Sequence, residues 1–161
     1  MKKSSILPGI ILIGFGIYFY FQKADIVLFS GFDHWATLMA IIGAGFLIQG
    51  YWGKDYDAIL PGVILAGLGI HFHIAEILQA WPDHLGAFIL ILALGFLLRY
   101  QKSGTGLSYS VIFFIVAAIH LFYDRISGWL DGFALGSFGF RTLWPLFLIL
   151  AGLYFITVKR K

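Results

Sequence analysis

The chain has 161 residues, of which 60% are hydrophobic and only 12% are charged, and its mean hydropathy is +0.91. A water-soluble domain of this length could not cover so much apolar surface, whereas a bilayer can. The formal net charge is only +3, and there is no cysteine, which excludes disulfides, thiolate metal sites and cysteine-ligated iron–sulfur clusters. The composition predicts an integral membrane protein.

Apolar segments long enough to span a bilayer recur along the whole chain, each close to the roughly 20 residues that a spanning helix needs. The first follows Lys2 and Lys3, as in a signal peptide, but no small-residue cleavage site comes after it, so it is predicted to be retained. The sequence predicts an all-α fold with six transmembrane helices. These are approximately Ile6 to Gln22, Trp35 to Trp52, Ala58 to Gln79, His84 to Gln101, Leu107 to Asp124 and Thr142 to Val158.

An internal repeat organises these segments in pairs. The Leu-Pro-Gly helix that begins at Ile6 returns 53 residues later, so that Pro8 corresponds to Pro61. The following helix returns with an offset of 50, from Asp33-His34 to Asp83-His84. A divergent third copy aligns His120 with His71. The repeat units are approximately 6–57, 58–106 and 107–161, and together they form a single membrane domain of three helical hairpins.

Two helices in each repeat return the chain to the same side of the membrane. Successive repeats are then related by rotation about the membrane normal, as parallel repeats are. This favours a pseudo-threefold bundle of hairpins, with an open row of hairpins side by side as the alternative.

The basic residues are distributed unevenly between the two sides of this predicted topology. Lys2, Lys3, Lys54, Arg99, Lys102 and Lys159 to Lys161 lie on one side, against Lys23, Arg125 and Arg141 on the other. Positively charged loops stay in the cytoplasm. We therefore expect both termini to be cytoplasmic.

Small residues and helix caps give more local predictions. Ala36, Ala40 and Ala44 recur every four residues and form a stripe on which a neighbouring backbone can lie. Ser4 and Ser5 are predicted caps of the first helix. Asp33 and Asp83 directly precede helices and are predicted N-caps.

The candidate functional residues are polar side chains in the outer half of the spans. Tyr18, His71 and His120 occupy equivalent repeat positions and one depth, so in a threefold bundle they would meet near the axis. Polar and ionisable side chains inside a membrane are disfavoured unless they face a partner or water.

Helical spacing limits how these residues act together. His71 and His73 point in nearly opposite directions and cannot bind one ion. His73 with Glu76, and His120 with Asp124, share a face and could form histidine–carboxylate pairs suited to proton relay or weak divalent metal binding. No spacing matches a metal motif or a catalytic constellation, so hydrogen bonding between helices is the simpler role, and neither a cofactor nor a catalytic residue is expected.

The last predicted helix carries a family resemblance. The segment Trp144-Pro145-Leu146-Phe147-Leu148-Ile149-Leu150-Ala151-Gly152-Leu153 resembles the Trp-Pro-x-x-Leu-Ile-x-x-Gly-Leu helix of the LiaI/LiaF-like transmembrane region of bacterial cell-envelope stress proteins. The resemblance covers the chain as three tandem hairpins, but the first two hairpins lack Trp-Pro at this place. It implies a small bacterial inner-membrane protein connected with envelope homeostasis and no catalytic residues.

The leading functional prediction is a non-enzymatic membrane scaffold or sensor-type accessory protein. Its expected partners are membrane lipid and either another membrane protein or a second copy of the chain, with no nucleic acid. The alternative is a proton or divalent-cation carrier that uses His71, His73, Glu76 and the pair of His120 with Asp124. A third, weaker possibility is a haem or quinone protein with His71 and His120 as axial ligands.

Overall fold

A computed structural model describes residues 5–78, 84–123, 149–150 and 152–154, and these parts of the chain are predominantly helical. The helices are α1 (Leu7–Lys23), α2 (Trp35–Tyr51), α3 (Ile59–Ile77), α4 (His84–Ser103) and α5 (Leu107–Leu121), with a 3₁₀ turn (Tyr56–Ala58) leading into α3. The first five predicted segments are thereby confirmed as helices, with ends that differ by up to three residues. The sixth, Thr142 to Val158, lies mostly outside the described residues, and its described residues 149–150 and 152–154 are helical.

Two of the helices have the length and composition to cross a membrane. Tyr56–Ile77, which includes the 3₁₀ turn, has 22 residues, and His84–Ser103 has 20. The helices α1, α2 and α5 are equally apolar but shorter, at 17, 17 and 15 residues. A bilayer can thin locally or let flanking residues reach its surface to accommodate short spans.

Within the compact unit that ends at Leu121, each helix packs against its neighbours in the chain. The pairs are α1 with α2, α2 with α3, α3 with α4 and α4 with α5. The start of α2 lies against the end of α3, and the start of α4 against the end of α5, so these neighbours are antiparallel. A second unit begins at Phe122.

The contact between α2 and α3 brings the two backbones together. A Cβ atom at Gly43 would overlap the backbone of Ala66, and one at Gly69 would lie 2.7 Å from the carbonyl oxygen of Ala36 and 2.8 Å from the amide nitrogen of Ala40. The predicted small-residue stripe is confirmed at Ala36 and Ala40. It is wrong at Ala44, which is exposed, because Gly43, seven residues after Ala36, continues the same helix face.

The contacts of α1 with α2 and of α3 with α4 use positions that the sequence repeat makes equivalent. A Cβ at Gly14 would meet the side chain of Ile41 at 2.5 Å, and one at Gly67 would meet Ile91 at 2.7 Å. Gly45 in α2 lies against Leu7 in the same manner as Gly95 in α4 lies against Leu60.

The helix caps differ from the sequence predictions. The N-cap of α2 is His34, one residue after Asp33, and that of α1 is Ile6, and neither makes a side-chain cap bond. Instead, the backbone amide of Ile6 donates to Oε1 of Gln49 in α2 at 2.9 Å. Gln49 is only 3% exposed, so a buried amide from the neighbouring helix takes over the role of a local cap. Asp83 and Ser4 lie outside the described residues.

Charged groups gather at the opposite end of these helices from the histidines. Nη2 of Arg99 donates to Oδ1 of Asp57 at 2.6 Å, and the Lys102 ammonium lies 5.5 Å from the centre of the Tyr51 ring. The first pair links the end of α4 to the 3₁₀ turn before α3, and the second links it to the last residue of α2. This end is suited to a membrane–water boundary, where ion pairs remain solvated.

Candidate functional site

The polar side chains of the apolar helices cluster at the end where α1 and α3 finish and α2 and α4 begin. We call this group the polar layer. Its members are Tyr18, Gln22, Asp33, His34, Thr37, His71, His73, Glu76 and His84. Helix geometry produces the clustering, because antiparallel neighbours bring the last turns of α1 and α3 beside the first turns of α2 and α4.

Tyr18 closes the first hairpin. Its hydroxyl donates to the backbone carbonyl oxygen of Asp33 at 3.0 Å, and it accepts a hydrogen bond from Nε2 of Gln22 at 2.9 Å. The ring is 3% exposed and packs at 5.3 Å from that of Phe32. Tyr18 therefore ties the last turns of α1 to Asp33, two residues before α2 begins.

Two polar contacts tie the first hairpin to the second. Nε2 of His73 and the hydroxyl of Thr37 share a hydrogen bond of 2.9 Å, and Nδ1 of His34 lies 3.2 Å from a carboxylate oxygen of Glu76. The predicted partners His73 and Glu76 thus each cross to the N-terminal end of α2 rather than pairing with each other. The His34–Glu76 contact is half exposed, while Thr37 is buried.

His71 joins α3 to α4. Its Nε2 lies 2.9 Å from Nδ1 of His84, so one of the two rings donates an N–H to the other. His71 is only 3% exposed, and the ring of Phe88 meets it edge-on at 5.1 Å. By the sequence repeat, Tyr18 corresponds to His71 and His34 to His84, so His71 links α3 to the start of α4 as Tyr18 links α1 to the start of α2.

The predicted opposition of His71 and His73 on α3 is confirmed. His73 faces Thr37 in α2 and His71 faces His84 in α4, so the two rings serve different helix contacts. In residues 5–78 and 84–123, no three histidine, aspartate or glutamate side chains converge into a group that could hold a metal ion.

His120 lies in the last turn of α5, beside α4. A Cβ atom at Gly86 would lie 3.6 Å from Cβ of His120, and a glycine there lets α5 approach closely. Its predicted partner Asp124 lies outside the described residues. The meeting of Tyr18, His71 and His120 around an axis stays a prediction.

A shallow cavity of about 340 Å³ lies beside the hydrogen bonds of Tyr18. Its walls combine two carboxylates and an amide with apolar side chains from the end of α1 and the connection to α2. The lining residues are Phe21, Gln22, Asp25, Ile26, Val27, Phe32 and Asp33.

Sequence reasoning named the first member of each contact but missed its partner. Thr37 and Gln22 are uncharged polar residues, and no sequence pattern marks either of them as part of a site. His84 was identifiable by its repeat equivalence to His34, which places both residues at the start of a predicted helix. Its contact with His71 required knowledge of which face of α3 meets α4.

Comparison with known proteins supports a membrane location and no finer assignment. The chain is 26% identical over 165 residues to the uncharacterized membrane protein YsxD of Bacillus subtilis (strain 168), an alignment that covers 100% of this chain and 98% of the relative. No family model matches the chain, so membership of the LiaI/LiaF-like family is not supported. No solved structure matches it.

The full-length match and the apolar helices lead to one conclusion. The chain is a membrane protein, and the fold of its described residues is all-α.

Proposed function

We propose that the protein is a non-enzymatic, multi-pass scaffold or sensor-type accessory protein of the bacterial inner membrane, with both termini cytoplasmic and a role in envelope homeostasis. The location follows the positive-inside distribution of lysine and arginine. The link to the envelope rests on the sequence resemblance of the Trp144 to Leu153 segment alone.

The scaffold proposal rests on the hydrogen bonds of the polar layer, which join neighbouring helices. His71 and His73 each face a partner on a different neighbouring helix, and Tyr18 faces the start of α2. Interhelical hydrogen bonds of this kind specify how membrane helices assemble. The backbone contact of α2 with α3 at Gly43 and Gly69 supports the same role, since it leaves no room for a path between these two helices.

The repeated contacts support an architecture of three hairpin repeats. Equivalent glycines meet equivalent isoleucines in the first two hairpins, Gly14 with Ile41 and Gly67 with Ile91. Equivalent first helices are also tied to the start of the following helix, through Tyr18 and through His71. We extend this arrangement to the third hairpin, residues 107–161.

The carrier is the second candidate, because the contact of the buried His71 with the exposed His84 joins two titratable rings. Two such rings can pass a proton between them. A carrier would move protons or a divalent cation across the membrane, whereas a scaffold would not.

The deciding experiment measures proton and Zn²⁺ flux into proteoliposomes that contain the wild-type protein, His71→Ala or His120→Ala. The scaffold proposal expects flux equal to that of protein-free liposomes in all three samples. Flux that the wild type supports and His71→Ala abolishes would replace the scaffold with the carrier. Elemental analysis and an absorption spectrum of the same preparations would detect a stoichiometric metal or haem, either of which would also overturn the proposal.

A further inference from the structure

The shallow cavity at the end of α1 has a lining of mixed chemistry. Asp25 and Asp33 bring two carboxylates to it, and Gln22 brings an amide. The other lining side chains are apolar: Phe21, Ile26, Val27 and Phe32. Its volume of about 340 Å³ falls within the range of about 300–1,000 Å³ that small-molecule pockets occupy. A ligand that matches this lining carries a positive charge and an apolar part.

The two carboxylates lack a partner of opposite charge among the described residues. Neither Asp25 nor Asp33 is in an ion pair with a described lysine, arginine or histidine. Asp33 contacts Tyr18 through its backbone carbonyl, so that its carboxylate is left for a ligand. Like charges that share a cavity repel each other, and a cation bound between them removes that repulsion. In the described parts of the chain these carboxylates belong to no group of three that could hold a metal ion, and an organic cation is the ligand that fits.

Two of the polar lining residues have no polar counterpart in the second repeat. Gln22 corresponds to Ala75 and Asp25 to Leu78 at the offset of the repeat. The hairpin of α3 and α4 nevertheless closes, through the contact of His71 with the start of α4. Closing a hairpin therefore does not require these two polar groups, and a ligand accounts for their presence in the first repeat.

Exposed apolar side chains continue from the cavity along the connection to α2. Val27, which lines the cavity, is 75% exposed, and the next residues Leu28 and Phe29 are 58% and 45% exposed. In a membrane protein such side chains contact acyl chains, while charged side chains stay in the headgroup layer. The lining therefore suits the boundary between these two layers, where a lipid places its headgroup.

We propose that this cavity binds the ammonium headgroup of a membrane lipid of the phosphatidylethanolamine class. The N–H groups of a primary ammonium donate to the carboxylates of Asp25 and Asp33 and to the side-chain oxygen of Gln22. The side-chain nitrogen of Gln22 is already bonded to the hydroxyl of Tyr18, so the oxygen is the atom left to accept. A quaternary ammonium, as in phosphatidylcholine, has no N–H to donate and binds less tightly. This lipid site goes beyond the scaffold function and does not rest on it.

Native mass spectrometry of the protein released from nanodiscs measures which lipids remain bound. The nanodiscs contain equal amounts of phosphatidylethanolamine, phosphatidylcholine and phosphatidylglycerol with the same acyl chains. We expect the wild type to retain phosphatidylethanolamine at several times the level of either other lipid. Equal retention of phosphatidylethanolamine and phosphatidylcholine would overturn the lipid site.

Single substitutions locate the bound headgroup. Asp25→Asn and Asp33→Asn should each lower the retention of phosphatidylethanolamine several-fold, because each removes a charge and keeps the shape of the side chain. Asparagine tolerates the positive φ of 54° at Asp25, so we expect the fold to survive, which circular dichroism checks. Asp55→Asn is the matched control, since Asp55 lies on the connection between α2 and α3, and it should retain lipid as the wild type does. Equal retention in all three variants would contradict a site at this cavity.

Glycerophosphoethanolamine, which has the same headgroup without acyl chains, separates a lipid site from a site for soluble amines. Added at the concentration of the lipid, it should leave the bound lipid in place, because it lacks the chains that contact the apolar lining. Displacement at that concentration would assign the cavity to a soluble amine and overturn the lipid. Flux into liposomes is a separate measurement, so a failure of the lipid site leaves the scaffold proposal standing.

Discussion

Among individual residues, two histidines of the polar layer differ in burial. His71 is only 3% exposed, and its partner His84 is an exposed residue at the start of α4. His34 and Glu76 are each about half exposed. We therefore expect His71 to contribute more to stability than His34.

We expect His71→Ala to lower the free energy of unfolding by about 1–3 kcal/mol, because it removes a hydrogen bond between α3 and α4 together with the packing of a ring that is only 3% exposed. His34→Ala is the control and should cost about 0–1 kcal/mol, as exposed ion pairs do. Unfolding of the detergent-solubilised protein by sodium dodecyl sulfate, followed by circular dichroism, measures both. Equal losses in the two variants would contradict the structural role given to His71.

Much of the polar layer follows from helix periodicity, and the rest does not. The opposition of His71 and His73 could be predicted, because two residues on one helix are separated by about 200°. Their partners could not, since Thr37 and His84 become neighbours only once the rotation of α2 and α4 about their own axes is known. Asp33 was predicted to cap α2, yet its backbone carbonyl rather than its carboxylate makes the described contact, with Tyr18.

At the scale of helices, glycine decides which faces meet. Gly69 and Gly16 occupy equivalent positions in α3 and α1, but only Gly69 touches another helix among the described residues. The sequence repeat located both glycines and could not tell them apart. The difference arises because α3 has a neighbour on each side, whereas the described part of the chain supplies α1 with one neighbour, α2.

This pair of positions gives a matched test of helix contact. Gly69→Ala should lower the free energy of unfolding by about 1–3 kcal/mol, because the new methyl group would lie within 3 Å of the α2 backbone and force the helices apart. Gly16→Ala should leave it unchanged or raise it by up to about 1 kcal/mol, since alanine favours the helix. Unfolding is measured in dilute detergent by circular dichroism. A loss at Gly16 as large as that at Gly69 would be inconsistent with an open face on α1.

The capping of helix ends was harder to predict than the contacts between helices. The amide of Ile6 is satisfied by Gln49 from the adjacent helix, an arrangement that no local cap signal can indicate. Ser5 stands beside Ile6 in the sequence and was the natural local candidate. The sequence signal was Gln49 itself, because an amide side chain within an apolar membrane helix needs a hydrogen-bond partner.

For the whole molecule, the proposed orientation in the membrane rests on charge. The ends of α2 and α4 carry Lys54, Arg99 and Lys102, while the connection between α1 and α2 carries exposed apolar residues and two aspartates. By the positive-inside rule, we propose that the first group is cytoplasmic. Because the described helices alternate in direction, fixing one connection fixes the others.

Two single-cysteine variants test this orientation in living cells. Val27→Cys lies between α1 and α2, where Val27 is 75% exposed, and Thr105→Cys lies in the exposed turn between α4 and α5. We expect a membrane-impermeant maleimide to label Val27→Cys in intact cells and Thr105→Cys only after the cells are permeabilised. The reverse pattern would invert the topology and turn the polar layer toward the cytoplasm, where its histidines would meet a buffered pH instead of the changing conditions of the cell envelope. A sensor-type role at the envelope depends on the first outcome, because only an outward polar layer lies near the side from which envelope stress arrives.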